Sequence, residues 1–434
     1  MSKKYQVQSA NYYRDMNLKK RERVATDARY LYGQMNVDYE ERINFGRLRK
    51  DRVNKLHSAM AEDGLAAIVL YNTEFVRYAT GSKFLTLLHK DHFFRYALVP
   101  ASGEPFLYEV VGVETEHREM TAPWLQDRIR PSIIWQFSGP AVNKQVTTWA
   151  KQLYSDLKDI GIDPRNEKIG FDRIDIPAYE ALLSIGIKPV DAWPTMEKVI
   201  STKTDDELEI LKTVAAIGDA AFDTVKRVVH PGMRENELKG HITNTFYSLG
   251  CDEMPGICVA SGGHTNPYVR ECTDKMIRYG DLLVIDLFPS YLGYHCCHTR
   301  TMVVGKATQQ QKDLHKLCYE WQWEAMNAIK AGVTTAEIAS KFPVHADDQY
   351  KTLSMVQFGH GVGITMHEPP TISRGYSMEY PVEIKENAYL AIELYAGMPN
   401  GVEGVRIEHN MVVTKNGIEV FTLFPDDLVE CLDY

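Results

Sequence analysis

Positive charge is scarce in this chain: 49 Lys and Arg stand against 58 Asp and Glu in 434 residues, a formal net charge of −9. Without a cationic excess or a long Lys/Arg block there is little footing for nucleic acid or an anionic membrane surface, and neither is expected as a partner. Long apolar runs are missing too. Stretches such as 65–70 and 282–285 fall far short of the roughly 20 residues that cross a bilayer. The opening segment MSKKYQVQSANYYRDMNLKKRER is basic but has no apolar stretch after its charges, so it lacks the form of a secretory signal and a cytoplasmic location is expected. Cysteine is absent before residue 250. All seven (Cys251, Cys258, Cys272, Cys296, Cys297, Cys318, Cys431) follow it, an odd, clustered set that suits free thiols in a reducing compartment better than a disulfide framework. No tandem repeat and no low-complexity tract is visible.

What is there is ordinary folded-protein material, 25% charged and 44% hydrophobic. A single core stops growing near about 250–300 residues, so two domains are expected. Residues 1–44, rich in Lys, Arg, Asn and Tyr with weak periodicity, are expected to form an arm. From Arg47, the spacing of Val53, Leu56 and Met60 predicts a helix that Gly64 stops before the strand-like LAAIVLY. Strands are expected at 94–100, 104–110 and 132–137, then helices near 146–160 and 178–183, making 45–200 an α/β domain. A second unit, 201–434, opens with Thr204 as N-cap and Asp205, Asp206 and Glu207 in the first turn of a long amphipathic helix. Another helix is expected over 309–331, with Thr334 and Glu337 as a capping box for the next. Strand pairs are expected for LLVIDLF with LGYHCCHTRTMVVG, and for YLAIELY with VRIEHNMVVT.

The chemistry concentrates in this second unit, in SGGHTNPYVREC (261–272), VIDLFPSYLGYHCCHTRT (284–301), QFGHGVGITMHEPP (357–370), LAIELYAG (390–397) and GVRIEHNMVV (404–413). Asp286 ends one expected strand segment and Cys297 lies in its hairpin partner, so one face of the pair brings them together. Cys296, one residue along, points to the other face. Glu393 and Glu408 sit among apolar neighbours, where a carboxylate is costly to bury without a metal, a proton or a cationic partner such as Arg406.

The ordered motifs IDL…GYxxxxTRT, GHGVGxxxHE, IEL and GVRIEH resemble the methionine aminopeptidase, aminopeptidase P and creatinase superfamily. That resemblance implies an α/β N-terminal domain followed by an α+β C-terminal domain of the pita-bread fold. In metal-dependent members two Asp, one His and two Glu hold a pair of divalent metals. Carried over, the matching metal positions are Asp286, Cys297, His360, Glu393 and Glu408, with His367 as a catalytic or supporting histidine. Cys297 departs from the pattern, standing where the family places the aspartate that bridges both metals. Two outcomes follow: a reduced site with one divalent ion, zinc or iron, or a metal-free hydrolase like creatinase. For the metal-free case His264 or His367 is the expected general base, with Glu393 and Glu408 holding a cationic substrate group.

The resemblance therefore implies a creatinase-like hydrolase cleaving a C–N bond of a small amidino, amide or betaine-like metabolite, and, by analogy with that branch, a homodimer. Three alternatives remain. FVRYATGSKF, HKDHFFRYALVP and HTNPYVREC resemble dimethylsulfoniopropionate lyases of this fold, although Met366 and Met355 replace the aspartate and tyrosine those lyases carry. An Xaa-Pro dipeptidase or aminopeptidase is the second, and a non-catalytic peptide-binding module the third. His295 and His298 are read as structural or surface groups.

Overall fold

The first helix, α1 (Phe45–Asp63), starts where the Asn44 side chain accepts a hydrogen bond from the Arg47 N–H, and stops at Gly64, whose φ of 66° suits a residue without a Cβ. The computed structural model describes residues 43–83, 93–112, 120–342, 351–352, 357–398 and 401–431. The expected arm, 1–44, lies outside them except for its last two residues. The chain forms two units, Met1–Val199 and Ile200–Tyr434. No described helix is long and apolar enough to cross a membrane.

In the first unit, β1 (Ala67–Leu70), α2 (Thr73–Thr80), β2 (Tyr96–Pro100), β3 (Phe106–Glu109), β4 (Ile129–Pro131), α3 (Val142–Asp159), β5 (Ile169–Phe171), α4 (Ile176–Ser184), β6 (Pro189–Asp191) and α5 (Trp193–Ile200) follow in order. Its sheet runs β4-β3-β2-β1-β5-β6, with β1, β5 and β6 parallel and β2 antiparallel to both neighbours. Every residue of β1 is buried, as its unbroken apolar sequence requires of a strand covered on both faces. The segment 132–137, expected as a strand, is not one; the strand is Ile129–Pro131, just before it. Tertiary burial overrides β-propensity here: Trp135 leaves the sheet to sit against Tyr71 and Trp149, its Nε1 donating to Asp175 at 2.7 Å.

The second unit opens with α6 (Asp205–Val228), where the expected N-cap Thr204 forms a capping box with Glu207. Next come α7 (Glu235–Ser248), β7 (Glu253–Ser261), β8 (Leu282–Tyr291), β9 (Tyr294–His295) and β10 (His298–Val304). Then follow α8 (Gln309–Met326), α9 (Thr335–Ala339), β11 (Lys351–Thr352), β12 (Gly359–Gly361), β13 (Glu368–Ile372), β14 (Tyr389–Gly397), β15 (Gly404–Thr414), β16 (Gly417–Val420) and β17 (Val429–Cys431). Helix α8 ends at Met326 rather than at 331, because Ala331 N–H is drawn to Thr414 O on β15 and Gly332 turns the chain at φ 91°.

Two sheets result, β17-β10-β8-β7 with β9 on β8, and β13-β12-β14-β15-β16 with β11 on β14. Side chains fasten them where β10 meets β15. Thr301 Oγ1 donates to Arg406 O at 2.8 Å and accepts from Arg406 N–H at 2.9 Å, while Arg300 Nη1 donates to Glu408 O at 2.5 Å. This seam places residues of four strands, β8, β10, β14 and β15, around one point.

Candidate metal centre

Glu393 and Glu408 are direct partners in the β14–β15 ladder. Like charges facing each other across a ladder repel, so the pair needs a counter-charge. Arg406, two residues before Glu408 and so on the same face, supplies it. Its Nη1 donates to Asp286 Oδ2 at 2.8 Å, its Nη2 pairs with Glu393 Oε2, and Glu408 Oε2 lies 4.0 Å away. Burial opposes the charge, but Asp286, Tyr268 and Glu408 hold the guanidinium above its ordinary pKa.

Asp286 is further supplied by Tyr268 OH at 3.2 Å and Thr299 Oγ1 at 2.9 Å, and Glu393 by Gln357 Nε2 at 3.0 Å. Both carboxylates are thus satisfied by protein donors alone. Thr299 Oγ1 also lies 2.7 Å from Glu408 Oε2, and its one proton serves one carboxylate at a time. Burial, then the charge of Asp286, pushes Glu408 up to about 7.

A second group has the opposite character. One ligand atom from each of Cys297, His360 and Glu408 lies within 4.8 Å of the others, and all three residues are buried. His360 Nδ1 is 2.7 Å from Gly361 O; a carbonyl only accepts, so Nδ1 holds the proton and Nε2 presents a bare lone pair. Among the described residues, neither His360 Nε2 nor Glu408 Oε1 has a hydrogen-bond partner. A buried polar atom left unpaired costs about 1–3 kcal/mol, which a cation bound among the three would offset. Burial holds His360 neutral, its pKa down to about 3, the form that ligates. Burial, followed by Glu408 and Asp286, raises the Cys297 thiol well above its ordinary value, so it becomes a thiolate only with positive charge beside it. Sulfur, imidazole and one carboxylate suit zinc or ferrous iron, and the donor set fits one such ion.

Of the five positions the resemblance implies for metal, the structure therefore brings Cys297, His360 and Glu408 into one cluster and ties Asp286 and Glu393 to Arg406 instead. Cys297 is not a rung of the hairpin, as expected, but lies in the gap between β9 and β10; Thr299 is the residue opposite Asp286. Asn410 fixes the gap, accepting from Cys297 N–H at 3.1 Å and donating to Cys297 O at 2.5 Å. Cys296 is buried on the other side, beside Gly218 of α6, and His298 Nδ1 faces Asp219 at 3.6 Å.

His367 stacks on His360 with ring centroids 4.2 Å apart and is exposed at the cavity mouth. Partial burial, then Arg270 and Arg406, lower its pKa. The turn that presents it is fixed by the next residue. Buried Glu368 pairs with Lys203 at 2.5 Å and accepts from Thr365 N–H at 3.0 Å. The cavity above the cluster is lined by Arg270, Phe288, Phe358, His367 and Leu394, with Cys258, Gln357 and Tyr395. His264 does not line it; its Nδ1 lies 3.3 Å from Glu235, and Tyr268 from the same loop is the side chain that reaches Asp286.

Arg406 was expected as a cationic partner of the glutamates; Thr299 and Asn410 went unread, although Thr299 is the rung opposite Asp286 and Asn410 lies two residues from Glu408 on the same strand. Tyr268, Arg270 and Gln357 sit in irregular segments without such a signal.

With this geometry in hand, comparison with known proteins is specific. The profile of metallopeptidase family M24 matches residues 209–415, and that of the creatinase/prolidase N-terminal domain matches 52–192. The chain belongs to the creatinase/M24 superfamily and has its two-domain architecture with the pita-bread fold. It is 31% identical over 222 residues to the Xaa-Pro dipeptidase of Pyrococcus furiosus, covering 51% of this chain and 62% of that protein. To the Xaa-Pro dipeptidase of Pyrococcus horikoshii it is 29% identical over 229 residues, covering 52% and 64%. The chain thus spans a little under two thirds of the length of these two relatives. Among solved structures, the Xaa-Pro dipeptidase from Bacillus anthracis superimposes with a TM-score of 0.71 at 25% identity, over 88% of this chain and 99% of that one. The prolidase from Pyrococcus horikoshii OT3 shares the fold, with a TM-score of 0.70 at 23% identity over 87% and 100%.

Proposed function

We propose that the protein is a single-metal hydrolase that cleaves the C–N bond of a small Xaa-Pro-type dipeptide, with Cys297, His360 and Glu408 as metal ligands and 201–434 as the catalytic domain. The observation that carries this is the buried trio under a cavity, whose imidazole nitrogen and carboxylate oxygen have no hydrogen-bond partner among the described residues, in a chain whose relatives are Xaa-Pro dipeptidases. Those relatives favour a dipeptidase over the creatinase-like hydrolase expected from the motifs, and they lend nothing to the C–S lyase reading.

A divalent ion in this site supplies Lewis-acid polarisation and lowers the pKa of water. The chain's own residues do the rest. Arg406 holds Asp286 and Glu393 in place, Thr299 and Asn410 orient Glu408 and Cys297, and His367 at the mouth accepts and returns the proton that the leaving amine requires. Its lowered pKa keeps it an unprotonated base near neutral pH. His264, paired with Glu235, has no part in this scheme.

The test is metal content per chain on protein purified without added metal or chelator, the absorption spectrum after cobalt(II) substitution, and proline release from Ala-Pro. About one equivalent of zinc or iron, a thiolate-to-cobalt charge-transfer band absent from Cys297→Ala, and turnover are expected. Substoichiometric metal with no band and no proline release would overturn the proposal and return attention to creatine-like substrates at a metal-free site.

A further inference from the structure

All seven cysteines are free thiols, and two of them meet at one place. Cys258 lies on β7, the last strand of its sheet, and Cys272 lies where the chain returns along that strand. Cys272 Sγ donates to Ile257 O at 3.1 Å and accepts from the Val259 N–H, so the sulfur is held on both sides of Cys258. In return, Cys258 Sγ donates to Arg270 O at 2.9 Å. Each thiol thus binds the backbone of the other's segment.

The two segments are the stems of one loop, 261–273, and its base is fixed. The buried Glu235 carboxylate accepts from Ser261 N–H at 2.9 Å on one side and from Thr273 N–H at 3.1 Å on the other. The loop carries Tyr268, whose OH reaches Asp286 at 3.2 Å, and Cys258 is the cross-strand partner of that same aspartate. Cys258 lines the cavity, while Cys272 is only partly buried and open to a reagent from outside. A disulfide needs Cα atoms within about 7 Å, and a sulfur bonded on both sides of a residue stands beside that residue's Cα. The electrostatics register the same closeness: after burial and Asp286, Cys272 is the next cause that pushes the Cys258 thiol up, to about 12.

We infer that Cys258 and Cys272 form a reversible thiol–disulfide site whose co-substrate is a small disulfide such as oxidised glutathione, and that closing it lowers turnover in the cavity. The site goes beyond the dipeptidase reading and does not depend on it. Cys272, the more exposed, loses its proton and attacks one sulfur of the small disulfide, and the thiolate released takes up a proton. The Cys258 thiol then gives up its proton and displaces the second small thiol. Two protein thiols are oxidised, the S–S bond of the reagent is reduced, and two small thiols leave. Burial raises both protein thiols, so the exchange is slow. Closure removes both S–H donors from Ile257 O and Arg270 O, and the loop that carries Tyr268 shifts against Asp286.

Tryptic mapping of the full chain after incubation with oxidised glutathione tests the pairing. Cleavage after Lys239, Arg270 and Lys275 puts Cys272 alone on peptide 271–275, and Cys258 with Cys251 on peptide 240–270. The two peptides should be joined, lighter by two hydrogen atoms than their sum, and dithiothreitol should separate them. The link should persist in Cys251→Ala and vanish in both Cys258→Ala and Cys272→Ala. A free peptide 271–275, or Cys272 held as a stable mixed disulfide with glutathione, would overturn the inference. Proline release from Ala-Pro should fall about tenfold or more on oxidation and return with dithiothreitol, while Cys272→Ala keeps its rate under the same treatment. Unchanged turnover in the linked protein, or an equal loss in Cys272→Ala, would overturn the effect on turnover. A chain that turns over no dipeptide loses the peptidase reading, and the peptide map then decides the thiol site alone.

Discussion

At the scale of single residues, the centre is organised by the imbalance between one guanidinium and three carboxylates. Arg406 balances Asp286 and Glu393, and Glu408 is left to the cluster with Cys297 and His360. Removing one partner of a buried ion network leaves uncompensated charge, so Arg406→Met should cost roughly 3–5 kcal/mol of stability near neutral pH. Excess zinc should restore part of that loss, since a cation then replaces the missing charge. Urea unfolding with and without zinc checks both; an unchanged midpoint would mean the carboxylates do not depend on Arg406. That Glu393 and Glu408 needed a metal, a proton or a cationic partner was legible from their apolar neighbours. Which carboxylates the arginine would take was not, because it depends on Asp286 arriving from another sheet.

At the scale of elements, the gap between β9 and β10 and the helix α8 carry separate predictions. Asn410 reaches from β15 to bind both polar groups of the Cys297 backbone, so Asn410→Ala should weaken zinc binding by about 10–100-fold without touching a ligand, the usual effect of losing a group that orients one. Competition with a chromophoric chelator measures it. On α8, burial pushes His315 from its ordinary 6.5 down to about 4. The unfolded chain then binds more protons than the folded one between these values. The neutral imidazole's contribution is therefore complete above about pH 6.5 and lost as pH falls towards 4, up to roughly 3 kcal/mol. His315→Gln should flatten the stability profile over that window in urea titrations at successive pH values; an unaltered slope would show that other groups cause it. Helices were legible where caps are written locally, as at Thr204 and Thr334; the Thr308 cap of α8 went unread. The strand expected at 132–137 failed because Trp135 gains more by burial beside Trp149 than by pairing in the sheet.

At the scale of the whole molecule, a metal held by the proposed site would add to stability. A ligand that binds only the folded chain stabilises it by about 2.7 kcal/mol at a hundred times its dissociation constant. Chelator treatment should therefore lower the thermal midpoint of the unit Ile200–Tyr434, where Cys297, His360 and Glu408 reside, and Cys297→Ala should abolish the difference. Calorimetry of the full chain, with domain transitions assigned by limited proteolysis, reads this directly. The homodimer expected by analogy with the creatinase branch predicts a particle of twice the 49.5 kDa chain mass in light scattering.

The sequence by itself determined the class of the fold and the starts of several helices, because apolar periodicity and helix caps act over a few residues. It also marked Asp286, Cys297, His360, His367, Glu393 and Glu408 as the residues to follow. Only the tertiary structure decided how they divide. Two sheets must meet at the β10–β15 seam before Asp286 and Glu393 can share Arg406, and before the His360 nitrogen and Glu408 oxygen, unpartnered among the described residues, can face the thiol of Cys297. Likewise, the loop 261–273 is fixed beside the cavity only because Glu235, Tyr395, Met398 and Glu403, distant in the chain, bond to it. Charge balance among buried groups is a property of all their neighbours at once, and no local stretch of sequence contains it.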